Sequence, residues 1–260
     1  MADQVAVLLC AIQNVSQVKC HLLTGVAHKV AERIYNNFAT VIACHVERQE
    51  KHIRYGGQHD WLDVEADECD VRRGLNPEHT DNHNAKVVWE QWGGVVQRGA
   101  SSTLTLTKLC PKKTGFRAPG PGPIRKKEWQ LFAKKHLKGR NIILHSDGAR
   151  SYRFKLHGVI HDYVVHKKKL IIKNRVRTWL KPKFTQVVKH MTPDGTKMYV
   201  KSGTQIIDRF WSHLRGFMQH RSAKPGTWEL RRRVRMAQWT YWHNSRGLWS
   251  HAGAAIKACM

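Results

Sequence analysis

Hydrophobic positions along this chain change period several times, and each change marks an element boundary. Up to Ile53 they recur at helical spacing: Val5, Leu8, Leu9 and Ile12 outline one short helix, and Ser16 can cap a second that runs through Leu23. Val30, Ile34, Phe38 and Val41 then stripe a third helix that begins near Ala27. Thr24-Gly25 turns the chain between the last two, and Gly56-Gly57 stops the third. From Trp61 the period is two. Leu62, Val64 and Ala66 alternate with Asp63, Glu65 and Asp67, so the expected strand carries three acids on one face. The runs AKVVWEQWGGVVQRG and STLTLTKL read as further antiparallel strands. PGPGPIRKKEWQLFAKKHLKG reads as a Pro/Gly loop and an amphipathic helix with Ile124, Trp129, Phe132 and Leu137 inward. In NIILHSDGARSY, Ile142, Ile143 and Leu144 predict a strand buried on both faces that stops on Asp147.

Between Gly158 and Lys201 short apolar pieces alternate with lysines, and the pattern does not order them. After Gly203 the helical period returns, with Ile207, Phe210, Trp211, Leu214 and Phe217 on the core stripe and Thr204, Asp208, Ser212 and Arg215 opposite. A last helix, TWELRRRVRMAQWTYWH, has Leu230, Val234, Ala237 and Tyr241 as its stripe and a block of arginines outside it, a face suited to phosphates. These elements predict a helical domain over 1–55 and an α/β domain over 56–260, a mixed sheet with helices on its faces, interrupted by a basic insertion at about 164–189. Helix, short Gly-containing turn, helix is also the helix-turn-helix layout, whose second helix can lie in the major groove. The candidate reader is Ala27 to Phe38, where His28, Lys29, Arg33 and Asn37 offer donors to bases or phosphates. An ordinary helical hairpin fits the same pattern.

Charge narrows the partners. The 260 residues, 41% of them hydrophobic, can hold a sizeable core, and 45 Lys and Arg against 19 Asp and Glu give a formal charge of +26. Such a field attracts polyanions and makes nucleic acid the leading partner. Residues 151–260 carry 23 Lys and Arg against four acids, Asp162, Asp194, Asp208 and Glu229. The clusters Lys167-Lys168-Lys169 and Arg231-Arg232-Arg233 fit DNA binding, nuclear targeting in a eukaryote, or a solvated face. No apolar stretch approaches the roughly 18 residues a membrane helix needs, and the start lacks the basic lead-in of a signal peptide, so an intracellular protein without a membrane partner is expected. Six cysteines without C-x-x-C spacing predict free thiols, and seventeen histidines without ligand spacing are assigned to no metal.

Three separated acids carry the candidate chemistry. Asp67 ends the acidic strand, Asp147 ends the buried strand, and Asp208 sits on a polar helix face. Hard divalent cations take oxygen ligands, and two ions roughly 3.5–4 Å apart can activate an attacking oxygen and stabilise a leaving one in phosphodiester chemistry. A buried strand would then be a rigid post for Asp147 at the sheet rim, where open α/β sheets bind ligands. The competing reading has Asp147 capping a helix that begins near Ala149.

VEADE (Val64 to Glu68), IILHSDGARSY (Ile142 to Tyr152) and GTQIIDRFWSHLRG (Gly203 to Gly216) resemble, in order, the three acid-bearing blocks of the Merlin-class DDE transposases and their bacterial insertion-sequence relatives with the ISXO-two-like transposase domain. The tail RRRVRMAQWTYWH is similar too, so the resemblance spans roughly residues 25–245. It implies an RNase H-like catalytic fold, with two Mg²⁺ or Mn²⁺ ions held by Asp67, Asp147 and Asp208. It further implies metal-dependent DNA strand cleavage and strand transfer at transposon ends, with double-stranded DNA as partner and a homo-oligomer assembled on it. The basic C-terminal half, with Arg215, Arg231, Arg232 and Arg233, is expected to grip that DNA. The third acid of the family is commonly Glu; here it is Asp208, one methylene shorter, and the stretch before it is longer and Lys-rich. Two alternatives share the same charge: a transposase-derived DNA-binding protein without catalysis, and an RNase H-like nuclease acting on RNA or hybrids.

Overall fold

A computed structural model describes residues 2–76, 86–165, 169–173, 175–219, 223–244 and 246–259. Lys167 and Lys168 of the expected basic cluster lie outside the described residues. The chain divides into two compact units, one of Met1–Ile53, Arg72–Gly74 and Phe210–Met260, the other of Arg54–Val71 and Leu75–Arg209.

Helices α1 (Ala2–Ile12), α2 (Gln17–Thr24) and α3 (His28–Glu50) open the first unit. Ser16 caps α2, its hydroxyl accepting from the Lys19 N–H at 3.3 Å, and Gly25 ends it in the left-handed region at φ 67°. The helical period holds but its phase shifts. Helix α1 buries Val7, Ala11 and Ile12 and leaves Val5 and Leu9 exposed; α3 buries Ala31, Tyr35, Phe38, Ile42 and Val46 and leaves Val30 exposed. A count of aliphatics overlooks two of these positions. Ala31 has no bulk to hold a neighbour away, and Tyr35 buries its ring while its hydroxyl donates to Val15 O at 3.0 Å.

Among the described residues the second unit is built on a six-stranded mixed sheet. Strands β1 (Leu62–Leu75), β2 (Lys86–Gln97) and β3 (Ala100–Lys108) are followed by β4 (Lys112–Gly115), helix α4 (Lys126–His136), β5 (Ile142–Asp147), one 3-10 turn (Arg150–Arg153) and β6 (Val159–Val164). The order across the sheet is β3-β2-β1-β5-β6, with β4 also pairing β2. Strands β2 and β3 are antiparallel. Bonds from Asn76 N–H to Lys86 O and from Arg98 N–H to Asp63 O, at opposite ends, make β1 and β2 antiparallel as well. Strands β5 and β6 run parallel to β1. Strand β5 lies between β1 and β6, and its apolar run is buried on both faces. Helix α4 buries Trp129, Phe132 and Ala133, and the Trp129 ring meets Tyr152 edge-on at 4.7 Å. Strand β4 was not expected, since KKTG has no apolar alternation; Lys112 is buried there because its ammonium donates to Gly122 O at 3.1 Å and Pro123 O at 2.5 Å.

The stretch that the sequence pattern left unordered contains β6 and two hairpins, β7 (Lys169–Lys173) with β8 (Val176–Leu180) and β9 (Gln186–Met191) with β10 (Lys197–Ser202). Helix α5 (Gln205–Met218) follows, its first turn in the second unit and its remainder in the first. It buries Ile207, Phe210, Trp211 and Leu214 as expected, and Met218 where Phe217 was expected. Helices α6 (Trp228–Trp242) and α7 (Leu248–Lys257) belong to the first unit, not to the sheet domain in which the sequence reading puts them. Phe38 of α3 meets Trp239 of α6 edge-on at 6.2 Å. The α6 arginines, expected to stand outside, are engaged within this unit. Arg231 bridges Glu47 at 2.7 Å, Arg232 donates to Asn36 O at 2.9 Å and Thr40 at 3.1 Å, Arg233 pairs with Glu229, and buried Arg235 donates to Glu50 at 2.9 Å. All six cysteines are free thiols. Among the described residues no helix is long and apolar enough to cross a membrane.

Candidate active site

One register brings two acids together. Strands β1 and β5 pair in parallel from Leu62 opposite Ile142 to Glu65 opposite His145, and two residues further along each strand stand Asp67 and Asp147. Strand periodicity puts Asp67 on the face of Glu65 and Asp147 on the face of His145. Asp147 accepts from the Ala149 N–H at 2.9 Å. The capping reading is therefore correct about the bond but not about the helix, because the bond closes a tight turn ahead of a single 3-10 turn whose own cap residue is Ala149. Asp147 also lines an open cavity of about 740 Å³ with Glu68, Asp70, Gln91, Arg153 and Tyr163.

The third acid is delivered by a tether that the sequence did not disclose. The Glu65 carboxylate, fully buried, accepts from the Ile206 N–H at 2.7 Å and the Ile207 N–H at 3.0 Å, so it satisfies the open N-terminus of α5 and fixes the turn that bears Asp208. Arg98 bonds Glu65 at 2.7 Å and donates to Gly203 O at 2.8 Å and Lys201 O at 2.5 Å. Gly203 enters the helix at φ 145°, and a Cβ there would meet Phe184 O at 2.8 Å. Asp208 itself accepts from the Thr204 hydroxyl at 3.0 Å.

Electrostatics join the three acids. Burial holds the Asp67 carboxyl well above the usual carboxylate range, and the charges of Glu68, Asp208 and Asp147 push it further. Beside it Glu68 is raised, chiefly by burial, and is oriented by the Tyr152 hydroxyl and by the Ile124 N–H at 2.9 Å. The Tyr152 hydroxyl is raised well above its ordinary value by burial and by the charges of Glu68, Asp67 and Asp147, so it stays a donor. The sequence reading identified Asp67, Asp147 and Asp208 but missed Glu65, Glu68, Arg98 and Tyr152. Glu65, Glu68 and Tyr152 lie inside the quoted blocks, whereas nothing in QRGA marks Arg98.

Other acids of the β1 face have partners. Asp63 Oδ1 lies 2.7 Å from His145 Nε2, and His145 Nδ1 lies 3.3 Å from Asp162 Oδ1. Asp162 also receives the Ser202 hydroxyl and lies 3.0 Å from His190 Nε2, a chain that fastens β9 and β10 to the sheet. The donor set of Asp67, Asp147 and Asp208 is all carboxylate oxygen, the chemistry a hard divalent cation takes, and mutual repulsion among the acids is what such a charge relieves. Among the described residues no group of three or more His, Cys, Asp or Glu side chains stands in ligating geometry.

In the helical unit His28, Lys29, Arg33 and Asn37 are exposed on α3, the last three at one-turn intervals along one face, and Arg215 is exposed on α5. No protein family, curated protein or solved structure matches the chain.

Proposed function

We propose that this chain is a DDE-type DNA transposase, which cleaves and joins DNA strands with two Mg²⁺ or Mn²⁺ ions held by Asp67, Asp147 and Asp208. The observation that carries the proposal is the parallel pairing of β1 and β5, which ends two residues short of Asp67 and Asp147, together with the charge interaction of Asp67 with Asp147 and with Asp208, whose helix turn Glu65 tethers. The strand order, three antiparallel strands followed by two parallel to the first, supports an RNase H-like catalytic domain. A pair of divalent cations supplies positive charge at both the attacking and the leaving oxygen of a phosphodiester displacement. The chain's own part is positional. Glu65 and Arg98 fix the first turn of α5, Tyr152 and Ile124 hold Glu68 beside the site, and the cavity with Arg153 at its wall admits a phosphodiester backbone. The exposed face of α3 is the proposed reader of duplex transposon ends, with several copies of the chain assembled on the DNA.

The test is nicking and strand transfer on supercoiled plasmid with Mg²⁺ or Mn²⁺. Asp147→Asn keeps the acceptor for the Ala149 N–H but removes the charge, so cleavage should vanish while thermal stability is unchanged. Equal cleavage by the variant would remove the three-acid site from the mechanism. The short third acid favours a second reading, a DNA-binding protein descended from such an enzyme. Asp208→Glu separates the two: wild type that is silent while the variant nicks DNA marks a site relaxed by drift.

A further inference from the structure

The hairpin of β9 and β10 has two faces of different character. Inward, Ser202 and His190 bond Asp162, Gln186 donates to Tyr163 O at 3.1 Å, and Val200 is buried. Outward stand Val187, Lys189, Met191, Lys197, Tyr199 and Lys201, all exposed. The register pairs Val187 with Lys201, Lys189 with Tyr199 and Met191 with Lys197, so every cross-strand pair couples one apolar side chain with one lysine. Val187 and Tyr199 are each 72% exposed and Met191 is 64% exposed. No carboxylate lies on this face, and Asp194, in the turn, is engaged by Thr192 and by the Thr196 N–H at 3.2 Å.

We infer that the outward face of β9 and β10 is a binding surface for an unpaired polynucleotide strand. Three lysines spaced among apolar side chains complement a phosphate backbone, and Tyr199 offers a ring on which a base can stack. Duplex DNA would answer only half of the face: its outer surface presents phosphates, and its base faces are closed within the stack, so Val187, Met191 and Tyr199 would gain nothing. A single strand presents phosphates and open base faces together. Anchoring through Asp162 holds the face in place from behind, so binding needs no ordering of the hairpin. This inference rests on the nucleic-acid reading above but not on cleavage; such a surface would retain the strand that DNA breakage leaves unpaired.

The probe is a labelled oligothymidylate of about 16 nucleotides, near the upper site size of one sheet-type single-strand module, with a duplex of equal length as comparison. Fluorescence anisotropy with the full chain should show Tyr199→Ala binding the oligothymidylate about tenfold more weakly, with Tyr199→Phe close to wild type. Changing Lys189, Lys197 and Lys201 together to Ala should lower the slope of log Kd against log salt by about 2, at roughly 0.7 per phosphate. Thermal unfolding of each variant should match wild type, since none of these side chains is buried. Unchanged oligothymidylate binding in Tyr199→Ala overturns the inference. So does a loss confined to the duplex, or a change in sedimentation without a change in oligonucleotide affinity, which would mark the face as a contact between copies of this chain. Cleavage that is metal-dependent alongside an indifferent Tyr199→Ala rejects the surface and keeps the proposed function; the converse keeps the surface and rejects the enzyme.

Discussion

Arg98 shows how a residue that touches no proposed ligand can decide whether the site exists. Its guanidinium is the cation beside Glu65, whose side chain has no exposure, and it also closes onto two carbonyls just ahead of α5. Arg98→Met leaves a buried carboxylate without its cationic partner, held only by two backbone N–H groups, which costs about 3 kcal/mol. The urea midpoint should fall accordingly. Adding Glu65→Gln removes the stranded charge and leaves an amide oxygen for the Ile206 and Ile207 N–H groups, so the double variant should recover part of the loss. A double variant as unstable as the sum of the two single losses would show that Arg98 acts through its carbonyl bonds alone.

At the scale of elements, two ionisable groups on β6, half-buried His161 and buried Asp162, set separate pH windows. His161, 2.8 Å from the Ser146 hydroxyl of β5, is held down to about 4 by burial, with Arg153 and His145 adding to it against Asp162. Its folded value lies below the ordinary 6.5, so the unfolded chain binds the extra proton and the neutral ring's contribution is complete above 6.5 and lost as pH falls toward 4. Asp162 differs: burial opposes its charge, yet bonds from His145, Ser202 and His190 bring it to about 2 from 3.8, so its contribution disappears only between those values. Urea midpoints should therefore drop in two steps on acidification, and His161→Gln, which can still bond Ser146, should shrink the first, to which His136 and His243, also held down to about 4, contribute as well, and spare the second. A first step as large in His161→Gln as in the wild type would assign no role to His161. The elements themselves were largely legible in the sequence. NIILHSD reads as a buried strand because covering on both faces demands an unbroken apolar run, and GTQIIDRFW reads as a helix because one face is buried. The phase of α1 and α3 was not legible, since Ala31 and Tyr35 fill core positions without aliphatic bulk, and β4 was hidden because buried Lys112 relies on two carbonyls that only the folded loop supplies. Glu65 looked like one more acid on a three-acid face; its role depends on a helix terminus far along the chain, which strand periodicity does not reveal.

For the whole molecule, the +26 charge says that polyanions are attracted but not which cations meet them. The helical unit divides its cations into two groups. Lys29 and Arg33 stand on the exposed face of α3, whereas Arg231 and Arg232 bridge α6 to Glu47, Asn36 and Thr40 of the same helix. Cations already bonded within the fold have less to give a phosphate, because each new contact would cost an existing one. Duplex affinity should fall steeply with salt, and changing Lys29 and Arg33 together to Ala should lower the slope of log K against log salt by about 2, at roughly 0.9 per phosphate lost, without moving the unfolding midpoint. Arg232→Ala should do the reverse, lowering the midpoint by about 1–2 kcal/mol of stability through its lost bonds to α3 while the salt slope stays near wild type. Anisotropy across a salt series and urea unfolding on the same preparations separate the two. If Arg232→Ala reduces the slope and spares stability, its bonds to α3 yield to phosphate, and α6 rather than α3 carries the DNA contact of this unit.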